Sequence, residues 1–261
     1  MIHCEGCGIQ LQTKDETKPG FIPQAALERD QKYCKRCFRI RHYNELSTIE
    51  HDPDIYLQIL GQIAQTNSLV VQIIDLFDIA GSWIPGIHRH IGNNPLLLFG
   101  NKLDLFPQSI KTGKLKEWIH GYAGEMGVKP IDVVVGSAAK QENLQEVRRA
   151  IERYRQDRDV YIVGVTNVGK STFLNYLLEE PIITTSPYPG TTLDVIHIPI
   201  DDNRNIVDTP GIVKKNRLSE WISPQELSEV IPKSRLNPKG YQLNAGQTVF
   251  LAALARFDYV E

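Results

Sequence analysis

The eight residues Gly164-Val165-Thr166-Asn167-Val168-Gly169-Lys170-Ser171 constrain this chain more than any other stretch. An apolar run, Val160 to Val163, precedes them and a helix-length stretch, Lys170 to Glu179, follows. Gly, four residues, then Gly-Lys-Ser between a strand and a helix is the pattern of a phosphate-binding loop. Its glycines let backbone N–H groups turn inward around phosphate oxygens, and the helix N-terminus adds a favourable dipole. Gly164, Asn167, Val168 and Gly169 would line the loop, with Thr172 in the first turn of its helix. Lys170 is suited to bridge the β- and γ-phosphates of a nucleotide, and Ser171 to hold the Mg²⁺ that a triphosphate brings.

A loop of this kind follows a strand and opens a helix, and the rest of the chain supplies the sheet to which such a strand belongs. Leu69 to Ile74, Pro95 to Phe99, Ile131 to Val135 and Val160 to Val163 are short apolar runs bounded by turns, which predicts buried strands. Lys114 to Met126, Glu142 to Gln156 and Lys170 to Glu179 have helix length and pattern, so the expected fold class is α/β, a parallel sheet covered on both faces. Pro53 to Gln65 reads as a helix leading into that sheet. Leu193 to Ile200 and Asn205 to Val207 read as an antiparallel ribbon at its edge. The last stretch, Gln247 to Glu261, reads as a strand without a partner, and its abrupt end carries the expectation of a truncated chain. A composition of 41% hydrophobic and 23% charged residues supports an ordinary globular core, and a net charge of −2 excludes a uniformly basic coat. No apolar run nears the ~20 residues that span a bilayer, and the N-terminus lacks signal-peptide character. The expectation is a cytoplasmic monomer with no membrane partner.

Three further motifs complete a nucleotide site. Asp208-Thr209-Pro210-Gly211 follows an apolar strand about forty residues after the phosphate loop. There Asp208 would hold Mg²⁺ through water and the Gly211 amide would sense the γ-phosphate. Between the two lies Pro189-Gly190-Thr191-Thr192, where Thr192 is the candidate threonine on Mg²⁺ and Thr191 the reserve. Asn101-Lys102-Leu103-Asp104 names the base: a carboxylate at Asp104 accepts both N1–H and the exocyclic amine of guanine, whereas adenine would leave it an unpaired charge. Asn101 and Lys102 would brace and cover that base. Ser137-Ala138-Ala139-Lys140, after another apolar strand, fits a loop whose backbone amide meets the guanine carbonyl oxygen. The ligand read from these residues is GTP or GDP.

The four cysteines form two pairs, Cys4-x-x-Cys7 and Cys34-x-x-Cys37, the ligand number of a closed tetrahedral Zn²⁺ site. A segment this short lacks a core, so the metal would supply most of its folding energy. His3 and His42 are not needed as ligands. Lys32, Lys35, Arg36, Arg39 and Arg41, interleaved with Tyr33, Phe38 and Tyr43, form a candidate contact for RNA phosphates. The expected division is a zinc module over residues 1–47, a nucleotide domain over 48–215 and the start of a C-terminal region over 216–261.

The motif order is unusual: Asn101 and Ser137 precede Gly164, whereas small GTPases place the phosphate loop first. The sheet is cut and rejoined, with residues 155–159 as the joint, which requires only that the original termini lie close together. With this order, the cysteine pairs and the strings Asp75-Leu76-Phe77-Asp78 and Gly81-Ser82-Trp83, the chain resembles the YqeH family of circularly permuted GTPases over nearly its whole length. By themselves Asp75, Asp78 and Trp83 read as a strand end and a packed aromatic. The resemblance implies a role in assembling the small ribosomal subunit, contacts with rRNA, and a C-terminal RNA-binding region beyond residue 261. It also implies that Asn167 coordinates K⁺, which would substitute for the positive charge of an arginine finger. Ile212 stands where Ras-type enzymes carry the glutamine that positions water, so slow intrinsic hydrolysis is expected, with Lys170, Thr192, Asn167 and Gly211 as the catalytic set.

Overall fold

The computed structural model describes residues 2–5, 10–16, 20–29, 31–35, 37–38, 60–177, 196–201, 204–209, 211–212, 226, 231–232, 234–251 and 255–260. The frame is a six-stranded sheet made of β1 (Ser68–Asp75), β2 (Leu96–Asn101), β3 (Asp132–Val135), β4 (Asp159–Val163), β5 (Ile196–Asp201) and β6 (Arg204–Asp208), in the order β3-β2-β1-β4-β6-β5. All neighbours run parallel except β5, which pairs antiparallel with β6 at the edge. The four strands read from apolar runs are all present. The expected ribbon is only half an edge feature, because its second strand, β6, lies inside the sheet and pairs with β4. The hydrophobic run of β6 carries the reason: Ile206 and Val207 are buried.

β1 is buried along all eight residues and β2 along all six, as central parallel strands covered on both faces must be. The helices that cover the sheet are α4 (Thr112–Glu125), α5 (Leu144–Arg155) and α6 (Lys170–Leu177). In α5 the residues Leu144, Val147, Ala150 and Ile151 are buried at helical spacing, and the helix packs on β3, β1 and β4. Phe173 of α6 lies 4.9 Å from Phe99 of β2, ring to ring, which seats the helix after the phosphate loop on the sheet.

Shorter helices occur at α1 (Gln24–Leu27), α2 (Ile79–Ser82) and α3 (Ile87–Ile91). Of the helix expected over Pro53 to Gln65, residues 60–63 are helical and the part before them lies outside the described residues. The final stretch departs from expectation: β7 (Thr248–Leu251) and β8 (Ala255–Asp258) pair antiparallel with each other, so the segment supplies its own partner strand.

Chain order and sheet order together locate the ligand crevice. From β1 the chain moves outward to β2 and β3; α5 then returns it to the other side of β1, where β4, β6 and β5 continue in the opposite direction. Direction reverses between β1 and β4, and open parallel sheets bind ligands beyond the carboxyl ends of the strands at such a switch point. The joint is short. The Arg158 N–H donates to the Arg155 carbonyl at 2.9 Å, and Arg158 Nε donates to Asn67 Oδ1 at 2.9 Å, tying the turn before β4 to the entry of β1.

Candidate nucleotide site

The carboxyl ends of β1, β2, β3, β4 and β6 deliver the sequence motifs to one edge. After β4, Asn167 and Gly169 take positive φ values of 64° and 93°, so successive amides turn toward a common hollow as an anion-binding nest requires. Glycine is obligatory at 169 on a second ground: a Cβ there would lie 2.3 Å from Asn101 Nδ2. Gly164 is similarly enclosed, its absent Cβ 2.9 Å from the Ile73 carbonyl of β1. Val168 is buried, while Ser171 and Thr172 are half-buried at the start of α6.

Lys170 is buried, and that burial pushes its pKa below the usual lysine value, with the nearby Asp208 carboxylate pulling it partly back up. A buried ammonium beside one carboxylate is a charge awaiting an anion. Asp208 itself is fully buried at the tip of β6. Beyond it the chain is clipped onto the phosphate loop. Thr209 Oγ1 donates to the Ile162 carbonyl at 2.9 Å, the Thr166 N–H to the Ile212 carbonyl at 2.9 Å and the Ile212 N–H to the Gly164 carbonyl at 3.2 Å. Gly211 lies directly over Lys170, since a Cβ on it would sit 3.0 Å from Nζ. Thr191 and Thr192 lie outside the described residues.

Asn101 joins three segments that are distant in sequence. Its Nδ2 donates to the Val168 carbonyl of the phosphate loop at 2.7 Å, and its Oδ1 accepts from the Ala138 N–H at 2.8 Å. The buried Asn101 thus braces the phosphate loop, β2 and the loop after β3 with one side chain. That last loop is closed by a reciprocal pair of backbone bonds between Ser137 and Glu142. Within the loop expected to offer an amide to a base carbonyl, the Ala138 N–H is used by Asn101, and the next residue, Ala139, is exposed.

Lys102 adopts left-handed backbone geometry at φ 72°, and a single 3₁₀ turn, Leu103–Leu105, then presents Asp104. Asp104 Oδ1 is buried with no hydrogen-bond partner among the described residues. A buried carboxylate oxygen left in this state costs free energy unless a ligand donates to it. The residues therefore fit a purine with adjacent N–H donors and a polyphosphate tail.

Sequence reasoning missed one participant. Asp75, read as a strand end, receives the Lys102 ammonium at 2.6 Å. The only signal in the sequence is an acid at the tip of a buried strand.

At the N-terminus the Sγ atoms of Cys4, Cys34 and Cys37 lie within 4.8 Å of one another, all three residues buried. The Cys34 N–H donates to Cys4 Sγ at 3.2 Å and the Cys37 N–H to Cys34 Sγ at 3.5 Å. Thiolates around one tetrahedral Zn²⁺ stand about 3.8 Å apart, so the cluster fits that ion. Cys7 lies outside the described residues, as do Arg36, Arg39, Arg41, His42 and Tyr43. Two of the basic residues read as an RNA contact are engaged by acids, Lys32 with Glu5 at 3.5 Å and Lys35 with Glu16.

Comparison with known proteins follows the same lines. Residues 159–235 match the family model described as 50S ribosome-binding GTPase. The match starts at β4, so it takes in the phosphate loop and Asp208 and leaves out the base motifs that precede the joint. The protein YqeH of Bacillus subtilis (strain 168) is 47% identical over 264 residues, 99% of this chain and 72% of that protein. The NO-associated protein 1 of Arabidopsis thaliana is 27% identical over 306 residues, 99% of this chain and 54% of its own length, so the chain spans about half of that relative. A crystal structure of GNP-bound YlqF from T. maritima aligns with a TM-score of 0.41 and 22% identity, over 66% of this chain and 70% of that one. With close to half its residues shared along almost its full length, this chain belongs to the YqeH family of circularly permuted GTPases.

Proposed function

We propose that this chain cycles between GTP and GDP to time a step in assembly of the small ribosomal subunit. Membership of a GTPase family implies GTP, GDP and Mg²⁺. The observation that carries the base assignment is the buried, unpartnered Oδ1 of Asp104, held in one frame with the phosphate loop through Asn101. In this reading Asp104 accepts from guanine N1–H and the exocyclic amine while Lys102 covers the ring. In the loop Ser137 to Lys140 the Ala138 amide serves Asn101, and the exposed Ala139 is left to offer an amide to the guanine carbonyl. The amides of Asn167, Val168, Gly169 and Lys170 cradle phosphate, Lys170 neutralises it, and Ser171, Thr192 and Asp208 hold Mg²⁺.

The test is Asp104→Asn, which replaces part of the acceptor face with a donor. Guanine affinity is expected to fall about a hundredfold or more, while xanthine nucleotides, which carry a carbonyl where guanine has its amine, gain affinity. Equal GDP affinity in both proteins, measured by calorimetry, rejects the assignment.

Small-subunit association and rRNA contact rest on the family resemblance, supported at the N-terminus by the cysteine cluster, which we assign to Zn²⁺ with Cys7 as fourth ligand. Residues 1–47 would form that module, 48–215 the nucleotide domain and 216–261 the start of an RNA-binding region. Among the described residues no helix is long and apolar enough to cross a membrane. Co-sedimentation with each ribosomal subunit, in GDP and in a non-hydrolysable GTP analogue, tests this reading. Nucleotide-dependent binding to the small subunit supports it; binding to the large subunit alone, or to neither, overturns it.

Hydrolysis is expected to be slow and stimulated by K⁺ through Asn167, a phosphate-loop residue with left-handed backbone geometry. Equal turnover in KCl and NaCl would remove K⁺ from the scheme. The clipping of Ile212 onto the loop favours a second reading, a GTP-dependent scaffold in which turnover is incidental. Multiple turnover in K⁺ decides for the enzyme.

A further inference from the structure

Building on the nucleotide reading of the site, we propose that Asp75 is a positioning residue for guanine binding, holding the Lys102 side chain so that its aliphatic stem is set over the base before nucleotide arrives.

Asp75 ends β1 and lies in register with Asn101, which ends β2, so the acid stands beside the base motif at the crevice. Its side chain is 5% exposed. Both carboxylate oxygens are occupied: Oδ2 by Lys102 Nζ at 2.6 Å, Oδ1 by the Phe77 N–H at 2.9 Å. Its own N–H donates to Ser82 Oγ at 2.9 Å, and Ser82 Oγ donates in turn to the Asp78 carbonyl at 2.7 Å. The Gly81 N–H closes the loop onto Asp78 Oδ1 at 2.9 Å. The carboxylate is thus fixed by backbone on its own side, and the lysine conforms to it.

Lys102 has little independent reason to be ordered. It is 28% exposed, carries four side-chain torsions, and sits at a φ that lysine rarely adopts. It stands between Asn101, tied to the phosphate loop, and Asp104, whose acceptor waits for a donor. Anchoring the ammonium at its far end removes most of the freedom a ligand would otherwise have to quench, which is preorganisation. A carboxylate this buried is retained only with strong compensation, and its compensation here is the lysine that the nucleotide needs.

The experiment is a double-mutant cycle on GDP affinity with the full chain, using a ribose-labelled fluorescent GDP, on wild type, Asp75→Asn, Lys102→Ala and the double variant. Asp75→Asn is expected to raise Kd about tenfold, the loss of one charge-assisted bond, and to add nothing in the Lys102→Ala background. A Kd within about twofold of wild type, or losses that multiply in the double variant, overturns the proposal. Should Asp75→Asn fail to fold, Lys102→Met and Lys102→Arg read the pair from the other side. Met loses the pair and should bind GDP about tenfold more weakly than Arg, which keeps it. Equal affinities for the two overturn the proposal. If wild type itself binds no GDP, the nucleotide reading fails; if wild type binds and the pair is silent, only the role of Asp75 does.

Discussion

The six-stranded sheet and the cysteine cluster differ in how much apolar surface each buries. In the sheet, β1 is buried from end to end and the core extends from Leu60 before β1 to Ile206 in β6, so removal of apolar surface from water supplies the stability. Around Cys4, Cys34 and Cys37 only Leu11 and Tyr33 pack against the cluster among the described residues. Such a segment has little apolar surface to bury, and an ion held by the thiolates would supply the free energy that burial does not. The nucleotide site is built wholly on the first kind of structure, which teaches that its geometry should survive loss of the second.

The strongest way to break that contrast is to remove the metal. Structural zinc sites contribute roughly 10–16 kcal/mol of apparent binding free energy, so chelation or Cys34→Ser is expected to abolish hydrogen-exchange protection around Cys34 and Cys37. GDP affinity and exchange in β1 to β4 should be unchanged. Joint loss of both, followed by exchange mass spectrometry and nucleotide titration, would show that the metal also supports the sheet.

A smaller effect separates glycines within the sheet domain. Gly169→Ala must place a Cβ 2.3 Å from Asn101 Nδ2 at a backbone φ of 93°, so it breaks the brace to the Val168 carbonyl. A loss of about 1–3 kcal/mol in unfolding free energy is expected, together with weaker GDP binding. Gly121 lies in α4 with nothing within 4 Å of an added Cβ, so Gly121→Ala is expected to stabilise by up to about 1 kcal/mol. Denaturant titration should give opposite signs for the two; the same sign would mean that the loop is not held as tightly as Asn101 implies.

What could be read from sequence divides along the same physical line. The strands β1 to β4 were legible because each is a short apolar run bounded by turn residues, and the glycines at 164 and 169 because only one kind of loop needs them there. The helices Ile79–Ser82 and Ile87–Ile91 were not: at four and five residues they are too short to show a 3.6 period, and Pro85 and Gly86 between them read as loop. The β7–β8 pair escaped because the sequence from Val249 to Ala255 is apolar throughout and carries no turn residue to mark a break. Asn101 was assigned to the base by motif, yet its bracing of two other loops depends on partners 67 and 37 residues away. Asp75 and Lys102 meet across 27 residues, and no local pattern announces an ion pair at that range.

The smallest expected effect probes the cost the rigid frame imposes on Lys170. Burial holds its pKa below the ordinary 10.5, with Asp208 offsetting part of the shift. Between the folded and unfolded values the unfolded chain binds more protons, so stability of the nucleotide-free protein should rise with pH in that window. The penalty is fully present below the folded value and relieved as pH climbs toward the unfolded one. Tyr161 acts in the opposite sense above its ordinary 10.0, because burial and Asp159 raise its pKa, so the informative range lies below that. Urea unfolding at pH values from about 8 to about 10 should therefore show a positive slope that Lys170→Met removes. Lys116→Met, which deletes a surface pair with Glu146 at 2.5 Å, should leave the slope intact. Saturating GDP should flatten it as well, since phosphate restores the charged amine in the folded state. A wild-type slope equal to that of Lys170→Met would mean that the folded sheet holds this lysine at no electrostatic cost, and that the crevice is not poised for an anion.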